Sequence, residues 1–136
     1  AGVLIASNLS PNEERETDKT EGELYDLTVR DTRMATGADG IEFGDGVAVV
    51  NGAEINMQFF DIHDNARVGL LVGGSSDFRD SRGQFEHGSI TQNLLGLAVT
   101  SSWMDLDRNF EDVSCYDNEV DIDSKTIAVP NFSLGF

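Results

Sequence analysis

Along this chain, apolar and polar residues alternate in short bursts rather than in helical stripes. Ile55, Met57 and Phe59 alternate with Asn56 and Gln58, a period of two that predicts a half-buried strand. Shorter apolar stretches at 3–5, 41–43, 47–50, 67–72 and 83–90 predict further strands. Within 23–29, Leu24, Leu27 and Val29 are candidate core residues. The longer run 92–104 reads as strand rather than helix, because Gly96, Val99 and Thr100 are poor helix formers. Turn clusters punctuate these runs at 36–40, 44–46 and 73–76. Asn51-Gly52 lies between two apolar runs, and both residues tolerate positive φ, so the pair predicts a hairpin of 46–50 with 53–62. No internal repeat and no amphipathic helix longer than two turns emerges. Short strands about ten residues apart, joined by Gly-rich turns, predict an all-β fold, a small antiparallel barrel of about seven or eight strands.

Two segments fall outside this rhythm. Residues 8–22 are polar and read as an exposed arm; residues 105–136 read as an irregular, acidic C-terminal segment. The last apolar patch, Ile127-Ala128-Val129, precedes Pro130. With 136 residues, one domain with one core is expected.

Charge sharpens the picture. Twenty-five acids against nine bases give a formal charge of −16. A field that acidic repels phosphates and anionic lipid heads, which argues against nucleic-acid partners and direct membrane insertion. Eight acids lie between Asp105 and Asp123 with Arg108 as their single basic neighbour. The acidity is therefore concentrated near the C-terminal end and suits docking to a basic protein face. Asp exceeds Glu and Lys is scarce, a balance also suited to high salt. The single cysteine, Cys115, forms no internal disulfide, so a reducing compartment or a virus particle is expected rather than a disulfide-rich secreted setting. The chain starts at Ala1, which implies removal of an initiator Met or a longer presequence. Asn8 and Asn131 each open a glycosylation sequon.

The stretch 55–84 carries a more specific pattern. Gln58, Asp64, Leu70, Val72, Gly73, Gly74, Ser75, Phe78, Gly83 and Gln84 keep an order and spacing that resembles the barrel of plant allene oxide cyclases and, more loosely, dirigent proteins. Glu23-Leu24-Tyr25 with Arg30, Asp31 and Arg33 faintly resembles the first strand of that barrel. The resemblance implies a barrel in which the Gly73-Gly74 pair turns the chain, Phe78 plugs one end and Gly83 relieves strain at a bend. It also implies an isomerase or cyclase, or a carrier of small apolar ligands. The family's Glu-x-Asn pair and Pro find no counterpart in 25–33, and 33–55 is shorter than the family's equivalent, so no catalytic set is carried over.

Candidate chemistry is sparse. Asp61, His63 and Asp64 offer two carboxylates and an imidazole that suit a divalent cation or a general base. Asp105, Asp107 and Asn109 open like a calcium loop, yet Phe110 and Tyr116 stand where an EF-hand needs Gly and Glu, which leaves only a looser calcium site. Otherwise no cofactor is expected. Glu86 and His87 are neighbours on a strand and are expected on opposite faces. Cys115 lies among acids, which raise a thiol pKa and argue against a nucleophile. Adjacent Phe59 and Phe60 place one ring in the core and the other toward a partner. The expected function is that of a non-catalytic accessory subunit of a larger assembly. Docking is expected through Phe60, Trp103, Glu111, Asp112, Asp117, Glu119, Asp121 and Asp123.

Overall fold

A computed structural model of the chain describes residues 2–7, 21–38, 40, 42–73, 80–101 and 104–123. Its strands are β1 (Val3–Ala6), β2 (Glu21–Arg30), β3 (Ala35–Thr36), β4 (Glu42–Phe43), β5 (Val47–Val50), β6 (Glu54–His63), β7 (Val68–Gly73), β8 (Arg82–Thr91), β9 (Leu95–Val99), β10 (Phe110–Tyr116) and β11 (Val120–Asp123). One helical turn, α1 (Leu106–Asn109), precedes β10. The expected antiparallel barrel is not what forms. Strands β1-β5-β7-β9-β11 make one sheet and β2-β6-β8-β10 another, and every pairing within both is parallel. Only the small β3–β4 pair is antiparallel among the described strands.

The chain alternates between the sheets: β6 leads to β7 across the interior, and β8 then returns to lie beside β6. Parallel neighbours need a long crossover, and here the crossover is a strand of the opposite sheet. The result is a parallel β-solenoid, in which each coil contributes one strand to each sheet. The expected hairpin at Asn51-Gly52 is corrected on the same ground. Both residues adopt positive φ, 58° and 92°, so the turn chemistry is as read. The turn, however, carries the chain from β5 in one sheet to β6 in the other, so the flanking strands do not pair with each other.

Between the sheets, residues of like character stack in columns. Leu24, Met57, Phe85 and Phe110 share one register; Val29, Ile62, Ile90 and Cys115 share another. From the opposite sheet, Val47, Leu70, Leu97 and Ile122 face them. Phe85 stacks on Phe110 at 4.9 Å and meets Phe60 edge-on at 6.4 Å. Phe60 needs Gly88 beside it, since a Cβ there would lie 2.3 Å from the Phe60 ring.

Coil corners are held by a ladder of amides inside the turn. Asn65 donates its backbone N–H and Nδ2 to Asn93 Oδ1, both at 3.0 Å. Asn93 donates likewise to Asn118 Oδ1, at 2.9 and 3.0 Å. Asn118 closes the series on Asp121 Oδ1, with two bonds of 3.1 Å. At the other end Thr32 N–H donates to Asn65 Oδ1. The residue before each rung, Asp31, Asp64, Gln92 or Asp117, holds φ between 55° and 59°. A left-handed residue costs about 1–2 kcal/mol, and the stacked bonds offset that cost at each corner. Gly96 makes room for the ladder: a Cβ on it would stand 2.6 Å from Asn118 Nδ2 and from Cys115 Sγ.

A repeat therefore exists, contrary to expectation. Glu21 registers on Glu54, Glu54 on Arg82, and Phe85 on Phe110, separations of 33, 28 and 25 residues. The drifting interval hides it from a search at fixed period. The excursion 33–46 in the first coil accounts for the longest interval. It is fastened by Asp45, fully buried, which accepts two 2.7 Å bonds from the Arg67 guanidinium. Residues 105–123, expected to be irregular, form the last coil of the described residues, and 21–22 belong to β2 rather than to an arm.

Candidate functional site

The outer face of the four-stranded sheet concentrates the exposed chemistry. Each of its strands bends at a left-handed residue: Asp26, Phe59, His87 or Asp112, with φ of 52–57°. The bend resets the period-two alternation. In β6, Ile55 and Met57 point inward, then Phe60 and Ile62, so Gln58 and Phe59 are consecutive outward residues. For the same reason Glu86 and His87 share the outer face instead of splitting across the strand. The bend also settles the Phe59–Phe60 pair. Phe60 is a core residue at 4% exposure, so its expected docking role is corrected; Phe59, at 55%, is the ring offered to solvent.

Stacking brings polar side chains into short contacts along this face. Gln58 Nε2 donates to Glu86 Oε2 at 2.9 Å, and Ser89 Oγ donates to Asp61 Oδ1 at 2.9 Å. The Phe59 ring stacks on His87 at 5.1 Å. His87 Nδ1 lies 2.9 Å from Asp112 Oδ2, and this hydrogen bond holds the imidazole pKa above its ordinary value. At the start of the strands, a groove of about 290 Å³ is lined by Glu21, Glu23, Glu54, Asn56, Arg82, Gln84 and Asn109, with Ile55 and two glycines between them.

The structure does bring together Asp61, His63 and Asp64. His63 Nδ1 sits 2.6 Å from Asp64 Oδ2, and its Nε2 lies 3.8 Å from Asp61 Oδ2. Ser89 bonds the Asp61 carboxylate and not the imidazole, so this is not a relay that activates a hydroxyl. Among the described residues, no group of three or more His, Cys, Asp or Glu side chains is arranged to hold a metal ion. At 105–109 the calcium-like opening does local structural work. Asp105 caps α1 by accepting from Asp107 N–H at 2.9 Å. Asn109 accepts from Asp105 N–H and donates Nδ2 to Gly83 O.

The remaining expected residues divide. Glu111, Asp112, Asp117 and Glu119 are exposed on the last coil. Asp121 is better described as the terminus of the amide ladder. Asp123 ends β11. Gly73 ends β7 close against the Thr100 hydroxyl, Gly83 is buried beside Phe85, and Gln84 faces outward and donates to Arg108 O at 3.2 Å. Trp103, Gly74, Ser75, Phe78, the arm at 8–20, the patch at 127–129 and both sequon asparagines lie outside the described residues. Cys115 is part of the interior, its thiol pushed up to about 11 by burial and secondarily by Asp121, which makes it a poor nucleophile.

Sequence reasoning named Gly83, Gln84 and Asn109 for other roles and missed the rest of the groove and the ladder asparagines. The ladder had a signal: Asp64-Asn65 and Gln92-Asn93 each precede an apolar run that passes through a glycine, and Asp117-Asn118 precedes the alternating Val120 and Ile122. The groove had none, because its residues lie on separate coils and meet only through register. Comparison of the chain with protein-family models, curated proteins and solved structures finds no match.

Proposed function

We propose that the chain is a non-catalytic interaction module that docks on a larger assembly through its last coil. The observation that carries this reading is the character of that coil. Among the described strands, β10 and β11 each lie at a sheet edge with no further neighbour. Beside them, Leu97, Phe110, Val113, Cys115 and Ile122 line an opening of about 280 Å³. Leu106 and Ile122, both in that lining, are 42% and 49% exposed, an apolar opening that a solvated end has no use for. Asp112 lies in that lining, and Glu111, Asp117 and Glu119 are exposed on the same coil, against Arg108.

An apolar centre with an acidic rim and two open strand edges suits a partner with an apolar contact, free strand edges and basic surroundings. A second copy is a poor occupant. Each chain carries −16, and stacking copies end to end would place Asp112 over Asp26 of the next. The cyclase and carrier readings need a lumen, whereas this interior is packed with Met57, Phe85, Ile62, Leu70 and Ile90, all fully buried.

Native mass spectrometry of extracts from the source cells tests the reading. The chain is expected within a large complex that dissociates as salt rises. The double substitution Glu111→Lys with Asp112→Lys is expected to release it without unfolding it. Recovery as a free monomer at low salt overturns the proposal.

A further inference from the structure

A second site lies away from the open coil, in the groove across the starts of β2, β6 and β8. We propose that this groove, together with the exposed rings of Tyr25 and Phe59 on the same face, binds an uncharged oligosaccharide. The lining decides the ligand class. Among the described residues it holds three carboxylates (Glu21, Glu23, Glu54), three carboxamides (Asn56, Gln84, Asn109) and the guanidinium of Arg82, with Ile55 as the one apolar residue among them. An apolar ligand would offer no hydrogen bond to Glu23 or Asn56 and would strip both of water. An anion meets Glu21 and Glu23. A bare cation meets Arg82, which is paired with Glu54 in the middle of the groove. A neutral polyol fits all of them, since vicinal hydroxyls both donate to carboxylates and accept from amides and guanidinium.

Several of these groups are already fixed. Asn109 is held by Asp105 N–H and Gly83 O, Gln84 by Arg108 O, and Arg82 by Glu54. Fixing them in advance lowers the ordering cost of binding. Asn56, Glu23 and the remaining Gln84 oxygen then present acceptors and donors on adjacent strands, about 4.8 Å apart along the solenoid. The aromatic rings are a separate observation. Tyr25 is 56% exposed and follows Glu21 and Glu23 outward along β2; Phe59 is 55% exposed and follows Asn56 along β6. Neither is part of the core; the Phe59 ring is stacked on His87, so the flat ring of Tyr25 is the main platform for the apolar face of a pyranose.

Isotope-labelled full-length chain, titrated with neutral hexaoses of β-1,4-linked glucose, α-1,4-linked glucose and β-1,4-linked mannose, tests this, with hexagalacturonate as the anionic comparison. At least one neutral hexaose is expected to give saturable shifts at Glu23, Asn56 and Gln84. Asn56→Ala with Gln84→Ala is expected to weaken that binding about tenfold, and Tyr25→Ala by a similar factor, with the thermal unfolding curve unchanged. The proposal is overturned if no neutral hexaose binds at about 10 mM. It is equally overturned if the shifts map away from the groove, or if hexagalacturonate binds as tightly. Glu119→Lys, which alters the charge of the proposed docking end away from His87 and Phe59, is expected to bind the hexaose like the parent chain.

Discussion

The two sheets are built by the same winding chain, yet they treat their outer faces in opposite ways. In the five-stranded sheet, Val47 and Val49 face the interior while Ala48 and Val50 face outward, and all four are fully buried. Leu71 and Ala98 join that second apolar cluster. β5, β7 and β9 therefore read as unbroken apolar runs, the mark of parallel strands covered on both sides. In the four-stranded sheet only the inner face is apolar. Its outer face carries carboxylates, amides, the exposed rings of Tyr25, Phe59 and Tyr116 and both histidines, and each strand bends once at a left-handed residue. Both inner faces build the shared core, and the first sheet is apolar on its outer face as well. The second, with one face spared from the core, has the freedom to present chemistry.

The sharpest way to break this comparison is to place a charge on each outer face. Leu71→Asp buries an unpaired carboxylate and is expected to cost more than about 4 kcal/mol in urea unfolding. Thr28→Lys, on the exposed face beside Asp61, is expected to stay within about 0.5 kcal/mol. Similar costs at the two sites would show that the faces do not differ. A second test uses adjacent residues of one strand. Phe60→Ala is expected to cost about 3–5 kcal/mol, through lost burial and the cavity over Gly88. Phe59→Ala is expected to cost less than about 1 kcal/mol. Reversal of that order would remove the bend from β6.

The corners that join the sheets come next. Asn93→Ala takes the acceptor from Asn65 N–H and Nδ2 and leaves buried donors unsatisfied, an expected loss of about 2–3 kcal/mol. Asn118→Ala, at the half-exposed end of the ladder, is expected to cost less, because water replaces part of what is lost. Equal losses would mean that the ladder is not graded by burial.

The smallest expected effect concerns pH on the outer face. The folded-state pKa of His87 is raised above its ordinary value of about 6.5 by the Asp112 hydrogen bond. Its contribution to stability is thus complete below pH of about 6.5 and is lost as pH rises through the folded-state midpoint. An imidazole titration followed by NMR is expected to show that raised midpoint. Asp112→Asn is expected to bring it back toward the ordinary value; an unmoved midpoint would separate the two side chains.

Much of the β-structure was legible residue by residue. The alternation at Ile55 and Met57 marks β6, the run at 47–50 marks β5, and Asn51-Gly52 marks a turn of the right chemistry. The outer-face bend was not legible. Phe59 in a left-handed conformation contradicts its own preference, and only the stack of Asp26, His87 and Asp112 in the same conformation makes it consistent. The groove was out of reach for a related reason: Glu21, Asn56 and Arg82 have no local pattern that binds them.

By itself, then, the sequence determined where the chain is extended, where it turns, which side chains seek the interior, and that the molecule is strongly acidic. These are local matters, fixed by backbone sterics, side-chain shape and transfer from water. Only the tertiary structure decided that the strands run parallel, that the chain winds as a solenoid, and which residues share a face. Period-two alternation reports which side of a strand is buried but carries no sign for the direction of its neighbour. That direction follows from the path the chain takes to return. Here the path runs through the opposite sheet, around corners whose stacked asparagines find one another only after a full coil.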